Sequence, residues 1–470
     1  MFFCFTWMRL WRDGMDPNEA VRETVLRVSP ACALTSLTTM IAFGSLYVTQ
    51  GQGIREFAIA GILSVIVAYV TLVTFLPLAL KLAVRLGFKN PRTPSVALTA
   101  PIPVARFLST KFRLPLAIGG IILTLALFIP HNLLQPRFSF QDFLPSDSAS
   151  LDVAAQIDDG VGGVSPVYVR IPLKEGVEDV GDADFLMIET VHNILENNIG
   201  LIEGDPALGE GKVISAASFS HYADSGFSRD QIFNAVGPFL KRRFITDDGQ
   251  HALVTGFLPT IISSDDLRRF VENTDRQIAE AQIEGAQVSG FRVLTSFASV
   301  DMIRSLQQGL TLAVFVSIFI IGAAFRSWKV ALVSFVPNIL PILGTELYLF
   351  VSGAGLQLTT VIALTIAFGI AVDDTIHFLA NYRRARQNGF EHDAAVDRAL
   401  ERVGPALVAT TLILCAGTLI GVFSALPQVA LFGTLTVLTL LLALLGDLII
   451  LPAILLAGGR FFHSLGGIRK

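Results

Sequence analysis

Two adjacent aspartates, Asp373 and Asp374, lie inside an apolar run that extends from Gln357 to Tyr382. About twenty apolar residues span a bilayer as a helix, so this run predicts a transmembrane helix. An ionised Asp at the centre of such a helix costs roughly 2.5–3.5 kcal/mol on insertion scales, so acids at this depth are expected to be functional. The pair therefore restricts the chain to membrane folds that can shelter two carboxyl groups.

The overall composition agrees with a membrane protein. The chain is 52% hydrophobic and 16% charged, with a mean hydropathy of +0.61, whereas about a quarter of a soluble domain is charged. A net charge of −4 and the lack of a basic patch with interleaved aromatics give no indication of a nucleic-acid partner. The cysteines all fall in or beside apolar runs, so we expect no disulfide framework in the polar part of the chain.

The apolar runs divide the chain into membrane and polar segments. The predicted spans are 30–49, 55–82, 114–134, 306–325, 329–350, 357–381, 404–424 and 429–457. The predicted domains are the end of a first membrane repeat with two spans after a cytoplasmic helix (1–82), a basic cytoplasmic linker (83–113), a single leading span (114–134), an extracytoplasmic domain (135–305), a five-helix bundle (306–457) and a cytoplasmic tail (458–470).

The polar block, residues 135–305, alternates β-branched runs with amphipathic helical runs. In chain order these runs are 164–171, 183–199, 212–219, 228–242, 251–258, 263–284 and 290–294. Strands interleaved with helices predict a small α+β layer of split βαβ type. The predicted fold class is thus a polytopic α-helical membrane protein with about eight transmembrane helices and one extracytoplasmic α+β domain.

The distribution of basic residues predicts the topology. If the N-terminal segment is cytoplasmic, the cytoplasmic segments hold 21 of the 35 lysines and arginines, and the short loops on the opposite side hold only Arg55. Short cytoplasmic loops carry an excess of lysine and arginine. We therefore expect both termini inside, residues 135–305 outside and, since that block has no Asn-x-Ser/Thr acceptor, a bacterial inner membrane.

The chain also aligns with itself, without a gap, at an offset of 375 residues from about Phe3 to Leu82. The matched pairs include Gly14 and Gly389, Arg27 and Arg402, Pro30 and Pro405, and Phe57 and Phe432. A repeated membrane half is typical of transporters, with the site at the repeat interface. The twin of the acidic pair would fall just before Met1, so we expect this chain to be the C-terminal part of a longer protein or a truncated gene product.

The spans, the polar block and the run Gly369–Asp374 resemble the RND superfamily, in particular its MMPL-like, hydrophobe-exporter branch, which includes proteins with a sterol-sensing-like domain. Weaker support comes from Phe143–Pro145 and from Val336–Pro341. The resemblance covers 114–457 completely, and the first half only from its fifth helix on. It implies a porter-like outer domain and a proton-driven exporter of lipids or other hydrophobic molecules.

In that family, acids on the fourth and tenth helices form the proton relay, and only the tenth-helix pair, Asp373 and Asp374, can be assigned here. Gly369, Asp373 and His377 share a helix face, since side chains meet at three- and four-residue spacing. His377 is either a relay member or a plain interfacial histidine. The alternative for the pair itself is a solvated helix end. Two ligands, Asp373 and His377, are too few for a metal site.

Several further polar residues in the predicted spans are supporting candidates. Thr410 and Thr411 could hydrogen-bond the acidic pair or only pack against it. Asn338 lies between two prolines, where a broken helix would free carbonyls, and has either a packing or a gating role. Asp447 is either a second relay acid or a hydrogen-bonded interior residue. Glu346 and Asp158–Gly160 are expected to be solvated, the latter in a turn.

These observations predict a proton-motive-force-driven exporter of lipid-like molecules. The alternatives are a non-pumping lipid- or sterol-sensing accessory protein and an inactive fragment of a larger transporter. No nucleophile, phosphate loop or cofactor motif is recognisable, so neither an enzyme nor a cofactor is predicted. The expected partners are membrane lipids, a hydrophobic substrate, and either a missing N-terminal half or a second copy of the chain.

Overall fold

The computed structural model describes most of the chain. The described residues are 1–49, 51–88, 96–145, 148–161, 163–173, 182–204, 206–219, 242–246, 250–260 and 262–462. They form two compact units, one of residues 1–136 with 302–470 and one of residues 137–301. Each unit has its own architecture.

The chain is mainly helical. In chain order the helices are α1 (Phe2–Arg12), α2 (Pro17–Leu46), α3 (Gln52–Arg85), α4 (Val96–Thr99), α5 (Pro101–Lys111), α6 (Arg113–Leu133), α7 (Ala149–Val161), α8 (Asp182–Glu203), α9 (Ser264–Glu280), α10 (Phe291–Ala324), α11 (Trp328–Ser352), α12 (Leu358–Gln387), α13 (His392–Val422), α14 (Pro427–Leu445), α15 (Leu451–Ala457) and α16 (Gly459–Phe462). A π-helical turn, Gly446–Ile450, joins α14 to α15.

Eight helical segments in the described residues are long and apolar enough to cross a membrane, as the sequence predicts. These are α2, α3, α6, α10, α11, α12, α13 and the segment Pro427–Ala457. Several begin well before the apolar run. α2 begins at Pro17 because the Asp16 carboxylate accepts from Asn18 N (3.0 Å) and Glu19 N (3.2 Å). The C-terminal part of the segment predicted as a cytoplasmic helix and the first span are therefore one helix.

The second unit contains a four-stranded sheet. Its strands are β1 (Ser165–Pro172), β2 (Val213–Ile214), β3 (His251–Leu258) and β4 (Gln287–Ser289). The order is β2-β3-β1-β4 with every neighbouring pair antiparallel. Because α8 connects β1 to β2 and α9 connects β3 to β4, each strand–helix–strand unit is split by a strand of the other. This is the predicted split βαβ arrangement.

The core of this unit lies between one sheet face and α8 and α9. Alternate residues of β1, Val167, Val169 and Ile171, are fully buried, as the period of a strand requires. Leu195 and Ile199 of α8 lie over them. The same alternation of apolar residues in the sequence predicts β1 and β3.

Three local predictions in this unit need correction or fall outside the described part. Residues 290–294 are not a strand: β4 ends at Ser289, and α10 begins directly afterwards. Residues 158–160 belong to α7, and Asp158 accepts from both the amide (2.8 Å) and the hydroxyl (2.7 Å) of Thr260, so it is not a solvated turn residue. The run 228–242 lies almost entirely outside the described residues.

The centre of the first unit is α12. It packs against α2, α11, α13 and α14, and 78% of its most apolar stretch is buried. Asp373 and Asp374 lie in this enclosed stretch, so the fold surrounds the acidic pair with helices from both copies of the sequence repeat.

Candidate functional site

The helix that carries the acidic pair is held at both ends. At its start, Gln357 N donates to Thr360 Oγ1 (2.8 Å), and Thr360 and Gln357 form a capping box. Arg384 and Arg386 lie in the last turn, where positive charge interacts favourably with the helix dipole. α12 therefore extends beyond the apolar run at its C-terminal end, so that Asp373 and Asp374 lie in its middle rather than at a solvated end.

Asp373 faces α2, where Thr35 and Thr39 are its neighbours. Those hydroxyls donate to backbone carbonyls: Thr35 to Cys32 O (3.1 Å), and Thr39 to Thr35 O (2.9 Å) and Gly369 O (3.2 Å). Asp373 Oδ1 is buried and has no hydrogen-bond partner in the described part of the chain. Burying a polar atom without a hydrogen-bond partner costs free energy of folding. Such an atom is therefore a candidate for a functional role.

Gly369 explains why α2 comes so close to the acid. A Cβ at this position would lie 3.3 Å from Ala42 Cβ and 3.4 Å from Thr39 Cγ2. A larger residue would move α2 away from α12. The glycine that the sequence places on the Asp373 face thus brings the two repeats together at the acid.

Asp374 faces a different helix. It is 8% exposed, and the carboxyl group of Asp447 is the charged group that interacts with it most strongly. Asp447, 1% exposed, accepts a hydrogen bond from Thr375 Oγ1 (2.5 Å). The structure therefore brings together Asp374 and Asp447, two candidates that are far apart in sequence, while the neighbouring carboxyl group of Asp373 faces α2.

Asp447 lies in the π-helical turn Gly446–Ile450. Such turns are rare and occur frequently at functional sites. The turn also fits closely against α11, since a Cβ at Gly446 would lie 3.2 Å from Pro337 O. That carbonyl has no helical donor because the residue four positions later is Pro341. The first glycine of the turn lets the last span approach this free carbonyl.

The expectation of a broken α11 is wrong. The helix is continuous through Pro337 and Pro341. Asn338, 1% exposed, donates from Nδ2 to Ser334 O (2.7 Å), and its Oδ1, like Asp373 Oδ1, is buried without a hydrogen-bond partner in the described part of the chain. Thr345 Oγ1 donates to Pro341 O (2.8 Å) and lies 2.8 Å from Thr439 Oγ1, which gives α11 and α14 a polar contact.

The remaining candidates lie around the C-terminal half of α12. His377 is 5% exposed, and its ring stacks on Phe2, with centroids 3.8 Å apart and an interplanar angle of 19°. Thr410 donates to Ala406 O (3.0 Å) and Leu407 O (2.9 Å) of its own helix. Thr411 is buried. In the described residues no three His, Cys, Asp or Glu side chains are grouped so that they could hold a metal ion.

A second polar feature was not apparent from the sequence. Glu346 is not solvated: its side chain is 2% exposed and its Oε2 lies 2.7 Å from His131 Nδ1 of α6. The pair closes a small cavity of about 50 Å³ lined mainly by Leu310, Val314, Phe315, Ile339, Ile342 and Leu343. A wider cavity of about 490 Å³ between α6 and α10 shares His131 and Phe315. The two partners are 215 residues apart, which no local pattern could connect.

The sequence profile of the MMPL family matches residues 234–467. The membrane protein MJ1562 of Methanocaldococcus jannaschii is 22% identical over 371 residues, 77% of this chain and 95% of that protein. The membrane protein ActII-3 of Streptomyces coelicolor is 28% identical over 35% of this chain and 23% of its own length. The multidrug resistance protein MdtC of Pectobacterium atrosepticum is 29% identical over 29% of this chain and 13% of its own length.

Two solved structures share the fold. The hedgehog release protein Disp from the water bear Hypsibius dujardini matches with a TM-score of 0.66 at 15% identity, over 97% of this chain and 61% of that one. SecDF from Thermus, a translocon-associated membrane protein, matches with a TM-score of 0.52 at 14% identity, over 98% of this chain and 52% of that one. This chain thus spans less than two thirds of either structure.

Proposed function

We propose that this chain, which belongs to the MMPL family and is a polytopic membrane protein, is a proton-coupled transporter that exports lipid-like or other hydrophobic molecules. The observation that carries the proposal is the set of three carboxyl groups around α12: Asp374 and Asp447 are buried, and Asp373 is partly buried with its Oδ1 enclosed. Asp373 faces the first repeat, and Asp374 and Asp447 face the last span of the second. The alternative of a non-pumping lipid sensor offers no reason to gather three acids inside the helix bundle.

The geometry suggests how a proton could do work here. An ionised Asp373 lacks a hydrogen-bond donor to its buried Oδ1, and protonation removes the charge that makes this burial expensive. Because Gly369 and Asp373 both lie against α2, a change of charge acts directly on the contact between the repeats. A membrane potential supplies about 2.3 kcal/mol per elementary charge per 100 mV, which is enough to shift a packed two-state interface.

The substrate class is inferred from the cavities between α6, α10 and α11. The smaller cavity is lined mainly by apolar side chains, with His131 and Glu346 at one side. The wider cavity is mixed, since Asn132, Gln307, Gln308 and Thr311 lie beside Leu134, Leu312 and Phe315. A long apolar molecule with a polar end fits such a lining. The names of MdtC, a multidrug resistance protein, and Disp, a hedgehog release protein, support export as the direction.

The orientation and the partners are also proposals. The positive-inside pattern supports cytoplasmic termini, an extracytoplasmic second unit and a bacterial inner membrane. We further propose that the acids of this chain act with a second membrane half, supplied by additional sequence or by a second copy, since a repeat-based relay needs an acidic set in each half.

The acids can be tested by changing each to asparagine in the complete protein, reconstituted in vesicles with an imposed pH gradient. For Asp373→Asn and Asp374→Asn we expect efflux of a fluorescent phospholipid analogue to fall to the level of empty vesicles, because the amide cannot carry a proton. Membrane insertion, followed by protease protection, should be unchanged. The matched control is Asp393→Asn, whose side chain is 67% exposed at the start of α13.

Undiminished efflux in both variants would contradict the relay. Efflux by the unaltered protein that persists after a protonophore collapses the gradient would contradict proton coupling and favour passive or accessory lipid handling.

A further inference from the structure

A small enclosed cavity of about 80 Å³ lies at the C-terminal end of α12, between α1, α2, α12 and α13. Arginines dominate its charged lining. The arginines are Arg9, Arg12, Arg27, Arg384 and Arg402, and Asp13 is the one carboxylate among the described lining residues. None of these residues belongs to the acidic site, and the proposed transport reaction does not use them.

The lining is built in matching pairs from the two sequence repeats. At the 375-residue offset, Arg9 corresponds to Arg384 and Arg27 to Arg402. The other pairs in the lining are Phe2 with His377, Phe5 with Ala380, Thr6 with Asn381, Val28 with Val403 and Ala31 with Ala406. A cavity lined by equivalent residues of two repeats lies on the axis that relates them. The stack of Phe2 on His377 is itself a contact between equivalent positions.

The backbone contacts of the arginines follow the same symmetry. Arg384 Nη2 donates to Arg27 O (2.7 Å), and Arg9 Nη2 donates to Glu401 O (3.4 Å), next to the equivalent residue Arg402. Each repeat thus sends one guanidinium to the backbone of the other. These bonds fix the positions of the side chains through backbone acceptors and not through carboxylates.

The positive charge in the cavity is only partly balanced. Arg27 forms an ion pair with Glu23 (2.5 Å), and Asp13 lies near Arg9 and Arg402. Burial, and then the positive charge of Arg402, lower the pKa of Arg9 to about 10. Four guanidinium groups that converge on an enclosed space with so few acids form a site that an anion would complete.

We propose that this cavity binds a phosphate group on the axis between the two repeats, with Arg9, Arg27, Arg384 and Arg402 as its ligands. Guanidinium groups present paired N–H donors that match phosphate oxygens. A volume of about 80 Å³ has room for a compact head group and not for an acyl chain. The bound phosphate would tie α1 and α2 to α12 and α13.

Such a phosphate could belong to a lipid head group or be free in solution. The predicted topology places the cavity at the cytoplasmic surface, where anionic lipids are enriched. The test therefore uses both sources on the purified, delipidated full chain in a neutral detergent. The probes are inorganic phosphate, short-chain phosphatidylglycerol and short-chain phosphatidylcholine, and binding is measured by calorimetry and native mass spectrometry.

Arg402→Gln and Arg9→Gln should each weaken binding about tenfold or more, because each removes charge-assisted hydrogen bonds. Arg402→Lys should retain part of the affinity, which separates loss of charge from loss of fold. The control Arg22→Gln changes an exposed arginine of α2 outside the cavity and should leave binding unchanged. Asp373→Asn should also leave it unchanged, so this site and the proton relay can fail independently.

Arginine-dependent binding of the lipids alone would assign the site to a phospholipid head group, and equally tight binding of inorganic phosphate would assign it to a soluble phosphate. Either result supports the proposal. Absence of binding by all three probes, or affinities that Arg402→Gln and Arg9→Gln leave unchanged, would overturn it.

Discussion

The last helix of the first repeat, α3, and its counterpart in the second, the segment Pro427–Ala457, have the same register and the same apolar character. Leu76-Pro77 of one corresponds to Leu451-Pro452 of the other. Their surroundings differ: none of the most apolar stretch of α3 is buried, whereas 61% is buried in the counterpart. The counterpart packs against α11, α12 and α13, while the main neighbour of α3 is α2. The apolar character of a segment therefore identifies a transmembrane helix but does not show which helices pack against it.

The two helices also differ in one turn. α3 is α-helical throughout, whereas its counterpart contains the π-helical turn Gly446–Ile450. Asp447 of this turn corresponds to Leu72. Asp447, Gly446 and the π-helical turn therefore occur together in the segment Pro427–Ala457 and have no counterpart in α3. Two copies of one repeat can thus keep the same register and still differ in polar content and in helix type.

The largest expected effect comes from replacing Asp447 by leucine, the residue at the equivalent position of α3. Asp447→Leu should reduce proton-coupled efflux by roughly 100-fold or more, as expected when a proton-transferring group is removed. It also leaves the buried Thr375 hydroxyl without its acceptor, at a cost of about 1–3 kcal/mol in stability. Vesicle transport and thermal unfolding in detergent measure the two effects.

The double variant Thr375→Val with Asp447→Leu separates the effect on transport from the effect on stability. We expect it to regain stability, since both polar partners are replaced together, while transport stays low. Recovery of transport in the double variant would show that Asp447 only pairs with Thr375 and takes no part in coupling.

The reverse change tests the first copy. Leu72 packs on the cluster of Phe3, Val28 and Cys32, and Leu72→Asp places a carboxyl group in the middle of α3. We expect a cost of about 2.5–3.5 kcal/mol in membrane insertion, measured with a translocon insertion assay. Leu72→Met, a volume-conserving change, is the control. Insertion of the aspartate variant at the level of the methionine variant would mean that α3 already tolerates acids.

The smallest effect concerns the close fit of the π-helical turn. In Gly446→Ala the new Cβ would lie 3.2 Å from Pro337 O, and overpacking costs about 1–3 kcal/mol. Higher helix propensity offsets up to about 1 kcal/mol of this cost, so we expect a modest fall in the unfolding temperature. Gly417→Ala on α13, where a Cβ would meet nothing within 4 Å, should be neutral or stabilising. Equal behaviour of the two variants would contradict close packing at Pro337.

Much of the fold could be predicted because its signals are local. Each apolar run is long enough to identify a span, and the alternation of Val167, Val169 and Ile171 identifies β1. Helix ends were less predictable. Hydropathy identifies only the part of a helix that lies in the membrane. α2 begins before its apolar run, where Asp16 caps it, and α13 likewise begins in the polar segment, at His392. The three-residue strand β4 is too short to give a periodic signal, so the sequence pattern places a run at 290–294 instead.

The site was predictable in its residues and not in its arrangement. An acid in an apolar run is conspicuous, so Asp373, Asp374 and Asp447 could be selected from sequence. That Asp373 faces α2 while Asp374 faces Asp447 depends on the packing of three helices. The contact between His131 and Glu346 depends on α6 and α11 coming together. The sequence alone therefore predicts a solvated Glu346, since the ends of transmembrane helices usually are solvated.

The π-helical turn has a mechanical consequence for the last span. The π-helical turn contains one more residue than an α-helical turn would. This extra residue sets the rotation and the height of the helix that follows Ile450. If the turn tightened to α-helix, α15 would rotate by about 100° and shift by about 1.5 Å along its axis. Buried residues such as Leu451 and Leu455 would then exchange places with their neighbours around the helix. Asp447 belongs to this turn and accepts a hydrogen bond from Thr375, so α12 contacts the last span at the point where that register is set.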